Sequence, residues 1–567
     1  MSFRRKMKKN LLVFFLLFTF VFQSSAFAQN AAKAKSPARK AAEIITADTL
    51  KDYLYYVASD EMEGRDTPSR GLDLTAKFIA LNLKRWGFKP AGDDGTFFQK
   101  IALRRDVIDA ATTAIEIGSQ KLAYGEDIVR VAGSSAGALS APIVFAGDGW
   151  FIKSKKLNPY QNIDIKGKMV AVFGEGQISS RSLVPLPVGV TQADLTGERG
   201  TDWADVVTYA RANGAAGVIV LPSKFLSDNW TGVKQSYGRS RVSVEKLAPP
   251  APVAASANTM PVFITAPRFA EVLFNGETSN PLNGAAAPFD LNADKKFSAA
   301  IVTKTDSLTT QNVVAIWEGS DPKLKSEMVA VGAHYDHIGL SSPSSSNPDK
   351  INNGADDDGS GTVSVLTMAE ALSKSAKRPK RSVLLVWHCG EEKGLWGSEY
   401  FNKFPTVDIK NVVAQLNIDM IGRSKNPNNI IPCDRPGKIC NEDLSAANEV
   451  YVIGSEMMSS KLGEVTKSIN NSFLKLNYNY RYDDPTDKNR FFFRSDHFNY
   501  AVNGIPIVFW FDGVHEDYHQ AGDEPQKIDY NKMQNVARTI FLTMWELSDL
   551  KERPKVDRQL PPELTNR

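Results

Sequence analysis

Val329-Ala330-Val331-Gly332-Ala333 runs directly into His334-Tyr335-Asp336-His337. Five small or β-branched apolar residues in a row read as a strand buried on both faces. A cluster of imidazoles and a carboxylate at its exit reads as the start of a site. The same transition occurs twice more. Leu384-Leu385-Val386-Trp387 leads into His388-Cys389-Gly390-Glu391-Glu392, and Ala414-Gln415-Leu416-Asn417-Ile418 leads into Asp419. Open α/β sheets build their sites along the carboxyl ends of their strands, so three strand ends point to one crevice.

Outward from these strands, residues from about 297 alternate strand, loop and helix. Strands are expected at 328–332, 382–388, 412–418 and 505–510, and helices at 362–375, 395–403, 455–471 and 532–550. That alternation predicts an α/β fold with a mostly parallel mixed sheet covered by helices on both faces. Helical periodicity also begins near Thr46 and again from Leu72 to Trp86, the latter ending at Gly87. Between 138 and 295 short apolar runs alternate with Gly/Ser/Pro loops, which predicts an inserted β-rich domain with little helix. The expected organisation is 29–43 as a flexible leader, 44–137 and 296–552 as one domain, 138–295 as the insert, and 553–567 as a loose tail.

The first 28 residues differ from the rest. Arg4, Arg5, Lys6, Lys8 and Lys9 precede an apolar run from Leu11 to Phe22, and Ala26-Phe27-Ala28 follows. This three-part pattern predicts a signal peptide and export to the periplasm or medium. The apolar run is too short to span a bilayer, so no stable membrane anchor is expected after cleavage. The formal charge of the chain is +4, and the five basic residues of the leader account for the excess. A basic footprint for nucleic acid is therefore not expected. With 42% hydrophobic and 23% charged residues the composition is that of a globular chain. Of three cysteines, Cys433 and Cys440 are spaced to close a small disulfide in an oxidising compartment, and Cys389 reads as a buried strand-end residue.

Two further segments carry chemistry. Asn353-Gly354-Ala355-Asp356-Asp357-Asp358-Gly359-Ser360-Gly361 places three carboxylates in succession, which repel unless a cation neutralises them. Tyr518-His519 lies in a loop after the last strand. The chain has only 6 His, and His334, His337, His515 and His519 all fall in such loops. Imidazoles and carboxylates without thiolates suit a catalytic metal. His334, one carboxylate of Asp356 to Asp358, one of Glu391 and Glu392, Asp419 and His519 make five candidate ligands, which exceed what one catalytic zinc takes and fit two ions sharing a carboxylate about 3.5–4 Å apart. Of Glu391 and Glu392, one then ligates and its neighbour is free to take a proton. His337 and His497 read as structural, and His388 as strand packing.

This ordered series resembles the co-catalytic dizinc peptidase family that contains bacterial secreted aminopeptidases and glutamate carboxypeptidase. The carrying segments are Gly332 to His337, Gly354 to Gly361, Glu391-Glu392, Asn417 to Gly422, Tyr518-His519, and Arg494 to His497 followed by Gly504-Ile505-Pro506. The resemblance implies two Zn2+ per chain. It assigns His334 and Asp419 to one ion, Glu392 and His519 to the other, and Asp357 as the bridge. It also implies that Asp336 orients His334, that Glu391 is general base and then acid, and that Tyr518 donates to the oxyanion. Residues 162–172 and 212–220 resemble a protease-associated domain, a type of insert linked to substrate access.

The function expected is an aminopeptidase that releases N-terminal residues from a peptide or protein terminus. A carboxypeptidase or dipeptidase of the same family is the alternative, with Arg423 or Arg494 to hold a substrate carboxylate. A single-zinc glutaminyl cyclase and a non-catalytic binding ectodomain are weaker readings.

Overall fold

The computed structural model describes residues 36–131, 137–176, 182–237, 240–247, 260–284, 286–342, 345, 347–433 and 440–565. The expected signal peptide, 1–28, lies outside the described residues. The chain divides into two compact units. The first comprises residues up to 101, 310–340 and from 351 onward; the second comprises 102–309 and 341–350.

In the first unit the elements follow as α1 (Pro37–Ala42), α2 (Ala47–Val57), α3 (Arg70–Arg85), β1 (Phe98–Ile108), β2 (Thr303–Trp317), β3 (Met328–His334), α4 (Gly361–Ser373), β4 (Ser382–His388), α5 (Trp396–Lys403), β5 (Val412–Ile418), β6 (Glu449–Ile453), α6 (Ser460–Ser472), β7 (Asn477–Asn479), β8 (Ile507–Phe511) and α7 (Tyr530–Asp549). The division falls within β1 and β2. Sheet order is β1-β2-β4-β3-β5-β8-β6-β7. β4, β3, β5 and β8 are parallel neighbours, while β2 and β6 run antiparallel to β4 and β8. The sheet is therefore mixed, with a parallel centre.

Every residue of β3, β4 and β5 is buried. Successive side chains point to opposite faces, so both faces are covered. The cover includes α4 and α7, which contact β3. Each fully buried Val or Leu in these strands contributes roughly 1.5–3 kcal/mol. Side-chain oxygens at the helix starts fix where the cover begins: Thr46 accepts from the amide of Thr49, Ser69 from Leu72, Ser459 from Leu462 and Asp529 from Lys532.

Several expectations change. The leader is helical over Pro37–Ala42, where Ala41 and Ala42 are buried and Arg39 donates to the carbonyl of Ser472. The tail is held rather than loose, because Asp557 accepts from the amide of Ser460 and Leu564 is buried. The second unit is wider than 138–295. Residues Ala114–Ile117 pair with Lys296–Ala300 and with Gln120–Leu122, which ties both flanks into its own sheet. That sheet has a parallel centre of Ala138–Phe145, Met169–Val172, Gly217–Val220 and Val262–Thr265. It also carries more helix than expected, including Val206–Ala212, Trp230–Tyr237 and Pro267–Phe274.

Candidate metal centre

β3 delivers His334 as its last residue, and the register pairs it with His388 at the end of β4. Glu391 and Glu392 follow β4 directly, and Asp419 follows β5. The long loop after β8 brings Tyr518 and His519. The fifth contribution is the turn 354–361 before α4. Glycine is required there twice. A Cβ at Gly354 would lie 2.4 Å from the Asp357 carbonyl oxygen and 2.5 Å from Cγ of His337, and one at Gly361 would lie 2.4 Å from the Asp358 carboxylate.

Of the three successive aspartates, the outer two each give one oxygen to main-chain amides. Asp356 Oδ1 accepts from the amide of Gly422 at 2.7 Å, and Asp358 Oδ1 accepts from Gly361 at 2.9 Å and Met420 at 3.2 Å. The middle one faces the imidazoles with both oxygens. Oδ1 of Asp357 is 3.3 Å from Nε2 of His334, and Oδ2 is 3.2 Å from Nε2 of His519. Nε2 of His334 is also 3.6 Å from Oδ1 of Asp419, and Nε2 of His519 is 3.0 Å from Oε2 of Glu392. All five expected ligands converge, with Asp357 in the middle.

These separations can be tested against an ion. Nitrogen and oxygen ligands about 2.0–2.1 Å from a tetrahedral zinc lie roughly 3.3 Å from one another. The observed 3.0–3.6 Å brackets that spacing. Nε2 of His334 and Nε2 of His519 are buried atoms with no hydrogen-bond partner. Buried polar atoms are normally satisfied, and these two, each beside buried carboxylates, suit a bound cation. Electrostatics agree. Burial disfavours a charged imidazole, yet the Asp357 and Glu392 carboxylates overcome it and raise His519 to about 10. His334 is raised in the same way, burial being outweighed by Asp419, Asp336 and Asp357. Among the described residues no Lys or Arg forms an ion pair with Asp357, Glu392 or Asp419. The residues present fit bound metal.

A family model for Peptidase family M28 matches residues 312–544. That segment is a Peptidase family M28 domain. Curated relatives include the probable leucine aminopeptidase 2 of Aspergillus oryzae, 27% identical over 45% of this chain and 48% of its own length. Leupeptin-inactivating enzyme 1 of Streptomyces exfoliatus is 32% identical over 25% of this chain and 29% of its own length. The chain thus spans less than half of either relative. Among solved structures, an aminopeptidase from Aneurinibacillus sp. strain AM-1 aligns over 93% of this chain and 98% of its own, with 14% identity and a TM-score of 0.48.

The M28 domain positions its remaining site residues with some departures from expectation. His334 is oriented by the main-chain carbonyl of Asp336, 3.1 Å from Nδ1, whereas the Asp336 carboxylate is 3.7 Å away. That carboxylate instead accepts the amide of Glu391 at 3.2 Å. Burial, then the neighbouring Glu392, Asp419 and Asp496 carboxylates, push Glu391 well above the usual range against the pull of His334. The Tyr518 ring stacks on His519 at 3.9 Å, and its hydroxyl accepts from Nη2 of Arg494 at 3.1 Å. A pocket above the cluster is lined by Met420, Phe491, Phe509, Phe511 and Val514, with Asp357, Glu391, Asp419, Arg494 and Tyr518.

His337 corrects the sequence reading. It was expected to be structural, but its Nδ1 is 2.8 Å from Oε1 of Glu392. Arg423 is not available to a substrate, being paired with Asp517 at 2.9 Å. His388 does more than pack: Nε2 is 3.0 Å from the Tyr500 hydroxyl and Nδ1 is 3.4 Å from Asp496. His497 stacks on Phe509 at 4.4 Å and is structural. His515 lies 3.4 Å from Asp356. Two supporting residues were missed. Asp523 accepts the amides of Asp356 and Asp357, and the buried guanidinium of Arg65 donates to the carbonyls of Val57, Tyr335, Asn353 and Gly354. Arg65 thereby straps the His334 loop to the Asp357 turn. No sequence signal marked it, because an isolated Arg in a Gly-Arg-Asp turn is ordinary.

Proposed function

We propose that this chain is an exported, two-zinc aminopeptidase that releases N-terminal residues from peptides. The observation that carries this reading is Asp357, whose two carboxylate oxygens face His334 on one side and His519 on the other. A bridging carboxylate has a use only if there are two ions. His334 and Asp419 would hold one, and Glu392 and His519 the other.

The ions, when bound, supply a Lewis acid for the scissile carbonyl and acidify the attacking water. The chain's own residues do the rest. Glu391 takes the proton from that water and passes it to the leaving amine. Asp336 fixes the Glu391 main chain through its amide. Tyr518 donates to the oxyanion; because Arg494 donates to the Tyr518 oxygen, the phenolic hydrogen is left free for that role. The apolar rim of Phe491, Phe509, Phe511, Val514 and Met420 suits an apolar first side chain. The curated relatives named as leucine aminopeptidases support cleavage at the amino end.

The carboxypeptidase reading retains one supporting observation, the presence of Arg494 in that pocket. A panel of N-blocked and C-blocked dipeptides separates the two. Hydrolysis of leucyl amides and not of N-acyl dipeptides is expected, and the reverse preference would refute the aminopeptidase assignment. Glu391→Gln should lower kcat by about 10²–10⁴-fold while ion content stays the same.

Export is supported by the bond between Cys433 and Cys440, which needs an oxidising compartment. Among the described residues no helix is long and apolar enough to cross a membrane. The second unit, with the stretches 162–172 and 212–220, is proposed as a protease-associated domain concerned with substrate access. Among the described residues no candidate metal group of three side chains falls in it.

A further inference from the structure

We propose that His337 is a direct ligand, through Nδ1, of the ion held by Glu392 and His519, so that the two metal positions are unequal. The inference rests on the two-ion centre proposed above and adds a sixth side chain to it.

The His337 ring is fully buried, and neither ring nitrogen has a hydrogen bond of acceptable geometry. Nδ1 lies 2.8 Å from Oε1 of Glu392 and 3.7 Å from Oδ2 of Asp357. His337, Asp357 and Glu392 each offer a ligand atom within 4.8 Å of the others. The His519 ring meets His337 edge to face, with centroids 5.6 Å apart. His519 reaches the same Asp357 oxygen at 3.2 Å and the other Glu392 oxygen at 3.0 Å, so His337 and His519 flank one pair of carboxylates at separations that straddle the roughly 3.3 Å edge of a zinc tetrahedron.

Two blander explanations fit less well. As a packing residue, His337 would leave two buried ring nitrogens unpaired, which is costly. As an outer partner of Glu392, it would point an N–H at the carboxylate. The two atoms are 2.8 Å apart, within hydrogen-bond reach, but they do not meet at a hydrogen-bond angle. A shared ion satisfies both atoms. The backbone is built for this placement: the amide of His337 donates to the carbonyl of Arg65 at 3.2 Å. The Gly354 position, where a Cβ would strike the imidazole, leaves room for the ring.

The consequence is an asymmetric pair. One ion would have His337, Glu392, His519 and a shared Asp357 oxygen, and the other His334, Asp419 and the second Asp357 oxygen, with Asp358, whose Oδ1 is engaged by two main-chain amides, as the carboxylate beside them. Four protein ligands close a zinc site, whereas three leave a place open. The His334–Asp419 position is then the one that can admit a substrate oxygen, and the His337 position is the one that holds its ion more tightly.

Zinc-edge X-ray absorption on the full-length holoenzyme, loaded with two zinc ions, tests this without reference to activity. Three imidazoles shared over two ions are expected, falling to two in His337→Ala or His337→Asn. Chelator competition should show one of the two ions released more than about 100-fold more readily in those variants, beyond the loss typical of an outer partner. Two imidazoles over two ions in the unaltered enzyme, a result that needs no variant to fold, would overturn the proposal while leaving the two-ion centre standing. Failure to bind two ions at all would remove both.

Discussion

Two buried charged clusters lie in the first unit, and they are built on opposite principles. Around Asp512 the cation is part of the chain. Nζ of Lys532 is 3.0 Å from Asp512, 2.7 Å from the Ser445 hydroxyl and 2.8 Å from the Arg423 carbonyl, and Lys532 is 2% exposed. Around Asp357 no such cation is supplied. Three imidazoles and a set of carboxylates face inward with orphaned atoms. Burying a charge is costly unless it is paired, so the first cluster carries its own neutralising charge, whereas the second is given none by Lys or Arg among the described residues. The difference teaches how to tell a structural ion pair from a site: by whether the neutralising charge comes with the chain.

That contrast can be attacked directly. The largest effect should come from Asp357→Asn, which removes a charge that both ions share. Ion content should drop from two per chain, with affinity reduced more than about 100-fold and turnover falling to background; metal analysis of dialysed protein reads this. Retention of both ions would show that Asp357 is no bridge. Lys532→Met should do the reverse. It leaves Asp512 buried and unpaired, so stability should fall by about 3–5 kcal/mol in denaturant unfolding, while ion content in the folded protein is unchanged. The Lys532→Met/Asp512→Leu pair should regain most of the loss; a pair as unstable as the single variant would contradict the self-neutralised reading.

The smallest effect per step concerns His497, a buried imidazole outside both clusters. Burial lowers it from 6.5 to about 3, so it is neutral in the folded chain while the unfolded chain takes up a proton below 6.5. The unfolded state then binds more protons between those values. Its contribution is fully present above pH 6.5 and is lost as pH falls, by about 1.4 kcal/mol per unit. Denaturant midpoints measured from pH 7 to 4 should follow that slope, and His497→Phe, which keeps the stack on Phe509, should flatten it. An unchanged slope would assign the acid sensitivity elsewhere.

Much of this was legible before any coordinates. The runs Met328–His334, Ser382–His388 and Val412–Ile418 are apolar without alternation, and only a strand covered on both faces accommodates that. Their ends therefore had to hold the polar residues. The Asp-rich turn was equally plain, since three adjacent carboxylates have no reason to be buried together without a cation. Other features had no local signature. His337 and His497 look alike in sequence, yet one faces Glu392 and the other lies flat on Phe509. Arg423 looked available for a substrate until Asp517 was found against it. The insert was bounded too narrowly because Ala114–Ile117 declares its sheet only by pairing with Lys296–Ala300.

By itself, then, the chain's order of residues determined the type of fold, the strand ends that carry the chemistry, and the kinds of ligand atom on offer. Tertiary structure decided which imidazole meets which carboxylate, which oxygens are spent on main-chain amides, and that Arg65 ties two of the loops together. The reason is one of range. Periodicity and composition report on neighbours a few residues apart. The candidate metal centre is defined by atoms about 3 Å apart on segments from His334 to His519, and only packing brings those together.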